Sequence, residues 1–335
     1  MSSKISWGVL STAKIGVEKV LPAMQKGDRS RIDAIASRDM ALAKDWASKL
    51  GIPKAYGSYE DLLADPAIQA IYNPLPNHLH VPWTIAAMEA GKHVLCEKPI
   101  ALDATQASLL VEARERTGKI VAEAFMVRHN PQWIKAHEIA HSGRIGDVRA
   151  IQTFFSYFLI DPSNVRNQAD IGGGGLFDIG CYAINTARYI FASEPERVVS
   201  TIERDPVMKT DRLTSALIEF PNSRHLTFTV STQLSPHQRV TIVGTKGRIE
   251  VLIPFNAPNN LPNRIVVDDG RDLLGGGAKT IDMPVDDQYR LQGDAFSRAV
   301  AGEEDLRDPI EDAVQNMRVI DACFRSASTG AWEKP

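Results

Sequence analysis

Short apolar runs alternate with longer amphipathic stretches over the first 125 residues. The runs Ile5–Leu10, Arg31–Ala36, Lys54–Tyr56, Ala70–Tyr72, Val94–Cys96 and Ile120–Phe125 have the length and punctuation of strands. Between them, Val17–Gln25, Ala41–Leu50, Ser58–Ala64, Val81–Ala90 and Ala104–Thr117 space their apolar residues at helical intervals. Ser58 and Asp61 have the spacing of an N-cap and an acidic third helical residue. Six strands alternating with helices predict a doubly wound parallel sheet, because parallel neighbours need helical crossovers.

The rhythm then changes. Pro131–His141 reads as a helix closed by Ser142-Gly143, and Asp147–Phe158 alternates as a strand. The run Gly172–Gly175 leads into a helix that carries Asp178 and Tyr182. Val198–Arg204, Thr214–Phe220, Leu226–Ser231, Arg239–Gly244 and Gly247–Leu252 follow as strands joined by turns at Pro221-Asn222-Ser223 and Thr245-Lys246. Without a βαβ rhythm, this sheet is expected to be mostly antiparallel. Asn256–Gly277, rich in Pro, Asn and Gly, reads as a long loop interrupted at most by Arg264–Val267. Helices Gln288–Ala301 and Ile310–Ser328 close the chain. The expected fold class is α/β: a parallel-sheet domain over residues 1–127, then an α+β domain over 128–335 with a largely antiparallel open sheet.

Composition narrows the function classes. A hydrophobic content of 44% and a charged content of 24% are those of an ordinary globular protein. Lys and Arg number 38 against 41 Asp and Glu, a formal charge of −3 without a basic block, so nucleic acid is not an expected partner. Cys96, Cys181 and Cys323 are odd in number and far apart, which points to reduced thiols and a cytoplasmic setting. Met1-Ser2-Ser3-Lys4 runs straight into a strand without an apolar signal segment, and no apolar run is long enough to span a bilayer.

The candidate chemistry lies where strands end. Ser11-Thr12-Ala13-Lys14-Ile15-Gly16 occupies the strand–turn–helix position of a dinucleotide fingerprint, with Ser11 and Ala13 where its first two glycines would stand. A plain strand–helix turn is the alternative. The second strand ends in Ser37-Arg38-Asp39. A hydroxyl and a guanidinium suit a 2′-phosphate, which favours NADP, while Asp39 keeps NAD possible. Pro74, Asn77 and His78 lie on a loop that two prolines hold extended across a strand's carboxyl end. Glu97-Lys98-Pro99 follows Val94–Cys96. Pro99 keeps Lys98 out of a helix at the mouth of a crevice, where an ammonium can donate a proton or polarise a substrate oxygen. Taken alone, a surface lysine is the simpler reading. His137-Glu138-Ile139-Ala140-His141 matches a zinc-hydrolase motif, but Arg144 and Asp147 stand where an extended form would carry glycine and a third histidine. The match reads as chance, and no metal is expected.

Ala55-Tyr56-Gly57-Ser58-Tyr59, Pro76-Asn77-His78, Ala90-Gly91-Lys92-His93-Val94, Glu97-Lys98-Pro99 and Glu123-Ala124-Phe125 with Arg128 resemble the glucose-fructose oxidoreductase/inositol dehydrogenase (Gfo/Idh/MocA) family. The glycine run through Asn185 resembles its second signature. Tyr182, where many members carry histidine, is similar to the branch of dihydrodiol and D-xylose dehydrogenases. The resemblance implies a Rossmann domain and a second domain whose open sheet often joins subunits, hence a homodimer or homotetramer. It implies that Glu97, Lys98 and Arg166 sit at the cofactor. It also implies that Tyr289 reaches cofactor or substrate, with packing on the sheet as the alternative. On this basis the expected activity is NADP-dependent hydride exchange with a small-molecule cyclic polyol, an aldopyranose or a trans-dihydrodiol. Tyr182 is the expected acid/base, Lys98 its electrostatic partner and Asp178 the substrate-orienting group; which of Tyr182 and Lys98 exchanges the proton stays open. A nucleotide-binding sensor without turnover is the competing class.

Overall fold

The computed structural model describes residues 4–335, so part of the amino-terminal stretch read above for a signal lies outside the described residues. The chain divides into two compact units. One runs to Met126 and takes up Asp287–Val314; the other comprises Val127–Asp286 and Gln315–Pro335. The expected single boundary near residue 127 therefore omits a return: Asp287–Val314 goes back to the first unit.

That return has a packing reason. The first unit is a six-stranded sheet of β1 (Ile5–Leu10), β2 (Ser30–Ala36), β3 (Lys54–Tyr56), β4 (Ala70–Asn73), β5 (His93–Cys96) and β6 (Val121–Glu123). Its order is β3-β2-β1-β4-β5-β6 and every pairing is parallel. β1 is buried along its whole length, as a central parallel strand must be. The helix Gln288–Val300 supplies part of its cover: Phe296 meets the Trp7 ring at 5.3 Å, and Trp7 Nε1 donates to Ser297 Oγ at 3.1 Å. Without that helix, a buried indole N–H would lose its acceptor.

The helices start where the sequence supplies caps. Asp39 caps Met40–Leu50, Ser58 caps Tyr59–Leu63, Asp103 caps Ala104–Thr117 and Asp287 caps Gln288–Val300, each accepting from a first-turn N–H. Gly51 and Gly118 end two of these helices in the left-handed conformation.

The second unit is built on an eight-stranded sheet ordered β14-β13-β12-β11-β7-β10-β9-β8. Its members are β7 (Val148–Phe158), β8 (Arg197–Arg204), β9 (Asp211–Phe220), β10 (Arg224–Ser231), β11 (Gln233–Gly244), β12 (Arg248–Val251), β13 (Arg264–Asp268) and β14 (Lys279–Asp282). Only β7 and β10 pair in parallel, since the helical segment after β7 allows the crossover that a hairpin does not. β13 falls on the interruption read at Arg264–Val267, and β14, beyond the expected loop, adds an edge strand that was not read; it is mostly exposed and shows no alternation. One face is covered by Pro131–His141 and Cys181–Phe191, the latter buried at ten of its eleven positions.

Candidate active site

In the first unit the strand order reverses between β1 and β4, the point where open α/β sheets hold their ligands. The chain leaves β1 through Ser11 at φ +77°, a conformation glycine usually serves. Ser11 Oγ accepts from the Ala13 N–H at 3.2 Å, and Thr12, Lys14 and Ile15 complete the turn before a π-helical turn, Gly16–Val20. Serine thus takes over the backbone role of the missing fingerprint glycine, with its own hydroxyl bracing the turn.

At the β2 tip, Ser37 is buried and its Oγ accepts from the Asp39 N–H at 3.1 Å. Asp39 Oδ1 accepts from the N–H groups of Ala41 and Leu42 at 2.8 and 3.2 Å. Its carboxylate is therefore engaged in capping a helix. Arg38 is exposed and hydrogen-bonds the Tyr59 phenol.

After β4, Pro74 leads into a single 3-10 turn, Asn77–Leu79, closed by the Leu79 N–H on the Pro76 carbonyl at 2.8 Å. The extended loop expected here is thus interrupted: Pro76 is itself extended, but the missing proline donor is no obstacle to a turn that begins after it. His78 Nδ1 is a buried nitrogen without a hydrogen-bond partner among the described residues. His80 is fully buried, with Nδ1 2.7 Å from the Pro99 carbonyl and Nε2 2.6 Å from that of Leu75.

Beyond β5, Glu97 accepts from the Tyr72 phenol at 2.7 Å, and its N–H donates to Asn73 at 3.0 Å. The Lys98–Pro99 peptide is cis. Directly after it, the Ile100 N–H donates to Glu123 Oε1 at 2.8 Å, so β6 anchors the chain leaving Lys98. The returning helix brings Tyr289 to the same strand ends, where burial first and the Glu97 charge second push its phenol upward. Tyr289 also packs on the sheet core, so the two readings of it are compatible. Lys92, part of the matched Gly91-Lys92-His93 segment, is structural: its buried Nζ donates to the carbonyls of Asp65 and Ile68 at 2.6 and 2.8 Å.

The second unit holds the other cluster. Gly174 has φ +125°, and a Cβ there would lie 1.9 Å from Asp211 Oδ1. The glycine run is needed because this carboxylate is buried against it, accepting from the Leu176 N–H at 2.5 Å and from Thr214 Oγ1 at 3.1 Å. The turn thus holds a carboxylate of the protein itself, and burial pushes its pKa up to about 6. The following turn, Leu176–Gly180, is π-helical before the α-helix Cys181–Phe191. Asp178 and Tyr182 are therefore not on one regular α-helix as the spacing predicts; π turns are frequent at functional sites.

Arg166 nevertheless meets the first of them: its Nε lies 3.1 Å from Asp178 Oδ1, and the Asp178 charge raises the guanidinium further, against burial. The Tyr182 ring is only 6% exposed, with Phe255 at 5.3 Å and Phe155 at 6.2 Å. Tyr157, which the sequence reading missed, donates to Asp178 Oδ2 at 2.6 Å. The signal was present, since Ile151, Thr153, Phe155 and Tyr157 share one face of a period-two strand. His137 stacks on Tyr189 at 4.4 Å, and His141 Nε2 lies 3.0 Å from the Ile190 carbonyl.

The first unit thus collects Ser11–Ile15, Ser37, Arg38, Pro74, Asn77, His78, Glu97 and Lys98 where strands of one parallel sheet end, with Tyr289 beside Glu97. The second collects Arg166, Asp178, Tyr182 and the unforeseen Tyr157.

Comparison with known proteins agrees with both halves. Residues 5–125 match the oxidoreductase family described as an NAD-binding Rossmann fold, and residues 133–250 match the GFO/IDH/MocA C-terminal domain. An uncharacterized oxidoreductase of Rhizobium meliloti is 47% identical over 98% of both chains. The NADP-dependent D-xylose 1-dehydrogenase 2 of Haloferax volcanii is 38% identical over 97% of this chain and 98% of its own. A 3-ketoreductase from Actinomadura kijaniata, solved with NADP and TDP-benzene, superposes with a TM-score of 0.90 at 28% identity, covering 97% of this chain and 98% of that one. That enzyme has also been solved with a lysine replaced by alanine or glutamate, and with a tyrosine replaced by phenylalanine. Among the described residues, no helix is long and apolar enough to cross a membrane.

Proposed function

The chain belongs to the GFO/IDH/MocA family of oxidoreductases with an NAD-binding Rossmann fold, and from that premise we propose an NADP-dependent dehydrogenase or reductase of a cyclic polyol. The reaction exchanges a hydride between the nicotinamide and a secondary alcohol or its carbonyl. The observation that carries this reading is the Arg166–Asp178 ion pair at the start of the helical segment that bears Tyr182. It places a partly exposed carboxylate, the proposed holder of a substrate hydroxyl, on the turn that leads into the helix of the buried Tyr182.

The residues fit the cofactor. Turn 11–15 offers backbone N–H groups to a pyrophosphate. Ser37 and Arg38 suit the 2′-phosphate of NADP, and Asp39, committed to its helix cap, is less able to hold the ribose 2′-hydroxyl of NAD. When bound, the nicotinamide accepts or supplies the hydride. The protein manages the proton. Tyr182 Oη exchanges it with the substrate oxygen. Lys98 Nζ is the proposed electrostatic partner: it donates to that oxygen, and a positive charge beside a phenol favours its ionised form, because a free phenol titrates at about 10 and is a poor base near neutrality. Asp178 accepts from a neighbouring substrate hydroxyl. In support, the replaced lysine and tyrosine of the 3-ketoreductase are separated by the same number of residues as Lys98 and Tyr182.

A second copy of the chain is the proposed partner, through the open face of the second sheet. That face carries a groove of about 540 Å³ lined by Phe154, Leu217, His237 and Arg239, among others. Sedimentation of the wild type as a monomer at micromolar concentration would remove this partner.

The activity is tested with a panel of D-xylose, other aldopyranoses and trans-dihydrodiols, following NADPH absorbance with NADP and NAD in parallel. Lys98→Met is expected to lower kcat by orders of magnitude while NADP binding survives. Near-normal turnover in that variant, or no turnover of any polyol by the wild type, would overturn the reading.

A further inference from the structure

The Asp178 carboxylate is held from both sides within the second unit: Tyr157 Oη donates to Oδ2 at 2.6 Å and Arg166 Nε lies 3.1 Å from Oδ1. The two donors come from different elements. Tyr157 stands at the carboxyl end of β7, on the face that runs through buried Ile151 and Phe155. Arg166 stands in a 3-10 turn whose carbonyl accepts from the Gly174 N–H at 2.9 Å, and the Gly174 carbonyl in turn accepts from the Asp178 N–H at 3.0 Å. Side chain and backbone of Asp178 are thus tied to the same Arg166–Gly174 frame, and Tyr157 ties it to the sheet.

Resting on the reading of Asp178 as the substrate-orienting group, we propose that Tyr157 is a positioning residue for the reaction: its phenol fixes the rotamer in which Asp178 meets the substrate hydroxyl. Burial, first, and the facing carboxylate, second, push the Tyr157 phenol far above its ordinary range, so it remains a donor at every working pH and takes no part in proton exchange. That division of labour explains two tyrosines in one cluster. Tyr182 packs against Phe255 and Phe155, whereas Tyr157 ends on a carboxylate. A carboxylate gripped from only one side by an arginine can swing about it. A second donor from a different element removes that freedom, which is how a short supporting hydrogen bond tightens a binding group it does not itself replace.

Tyr157→Phe keeps the ring and deletes only the donor. A hydrogen bond to a charged group is worth enough to change binding by about 10- to 100-fold. KM for the fastest substrate of the panel, D-xylose being tried first, is expected to rise by that factor, while NADP affinity stays within about twofold. In the Asp178→Asn background the same substitution is expected to add nothing. Carbon-13 NMR of the Asp178 carboxyl, assigned by its loss in Asp178→Asn, gives a readout independent of turnover. Removing a donor to the charged form shifts its titration, and with it the acid limb of kcat/KM, to higher pH. An unchanged titration in Tyr157→Phe overturns the clamp itself. Wild-type KM in Tyr157→Phe beside a raised KM in Asp178→Asn, or effects that multiply in the double variant, overturns the positioning role. Wild-type KM in Asp178→Asn removes the reading of Asp178 on which the proposal rests.

Discussion

The His80 ring lies 2.7 Å from the Pro99 carbonyl, and its other nitrogen lies 2.6 Å from the carbonyl of Leu75. One imidazole thereby joins the loop carrying Asn77 and His78 to the segment carrying Lys98. Burial holds its pKa down to about 4, against the two carbonyls, which pull it up. The native ring is neutral near pH 7 and the unfolded ring, with a pKa of about 6.5, takes up a proton first on acidification. Between those values the unfolded chain binds more protons, so stability falls as pH drops from about 6.5 to 4, by about 3 kcal/mol when complete. His80→Phe removes this dependence and also leaves the one carbonyl that accepts from the neutral ring's single N–H without its donor, at about 1–3 kcal/mol. Thermal melts at pH 7 and pH 5 check both effects: the variant should melt lower at pH 7, and the gap should narrow at pH 5.

Asp211 has the opposite sign. Its native pKa of about 6 stands above the ordinary value of 3.8 because burial disfavours the charged form. Between those values the folded state binds more protons, so this group adds stability as pH falls from about 6 to 4, again about 3 kcal/mol when complete. It therefore offsets the His80 loss over much of the same range. Asp211→Asn keeps an oxygen for the Leu176 N–H but does not titrate. The variant is expected to match or exceed the wild type in Tm at pH 7 and to lose stability more steeply below pH 6. Parallel Tm curves from pH 7 to 4.5 would show that the carboxylate has no such role.

Two lysines of the matched segments separate by environment. Lys98 follows β5, whereas Lys92 precedes it and is only 5% exposed, held by two carbonyls. Lys92→Met leaves the Asp65 and Ile68 carbonyls without this donor, which costs about 1–3 kcal/mol. It should lower Tm by several degrees and leave kcat of the folded enzyme unchanged. A loss of kcat comparable to that of Lys98→Met would contradict the structural assignment.

Why one lysine was legible and the other not is a matter of period and punctuation. The parallel sheet was readable because buried strands such as Val94–Cys96 are apolar throughout and are separated by capped helices. The second sheet's core strands were readable from alternation, but β14 is a largely exposed edge with nothing to alternate. The return of Asp287–Val314 was illegible because its evidence is a Trp7–Ser297 hydrogen bond spanning most of the chain. In the candidate site, Lys98, Asp178 and Tyr182 stood out through motif spacing. For Tyr157 the strand's period gave only its face, shared with Ile151, Thr153 and Phe155, and nothing in the spacing named its partner. Arg166 was placed with the cofactor by resemblance; in the second unit its partner is Asp178.

At the β2 tip the only acidic side chain of Ser37-Arg38-Asp39 is bound to two helical N–H groups, while Arg38 is exposed beside Tyr59. A 2′-phosphate would gain a charge-assisted contact from Arg38 that a 2′-hydroxyl does not. Arg38→Ala is therefore expected to raise the Kd for NADP by about 10- to 100-fold, the range of one hydrogen bond to a charged group, with little change for NAD. Isothermal titration with both coenzymes measures the two changes side by side. Because the interaction is between full charges at an exposed position, the preference for NADP should also weaken as salt is raised. Equal loss of both coenzymes in Arg38→Ala would mean that Arg38 supports the turn rather than reads the phosphate.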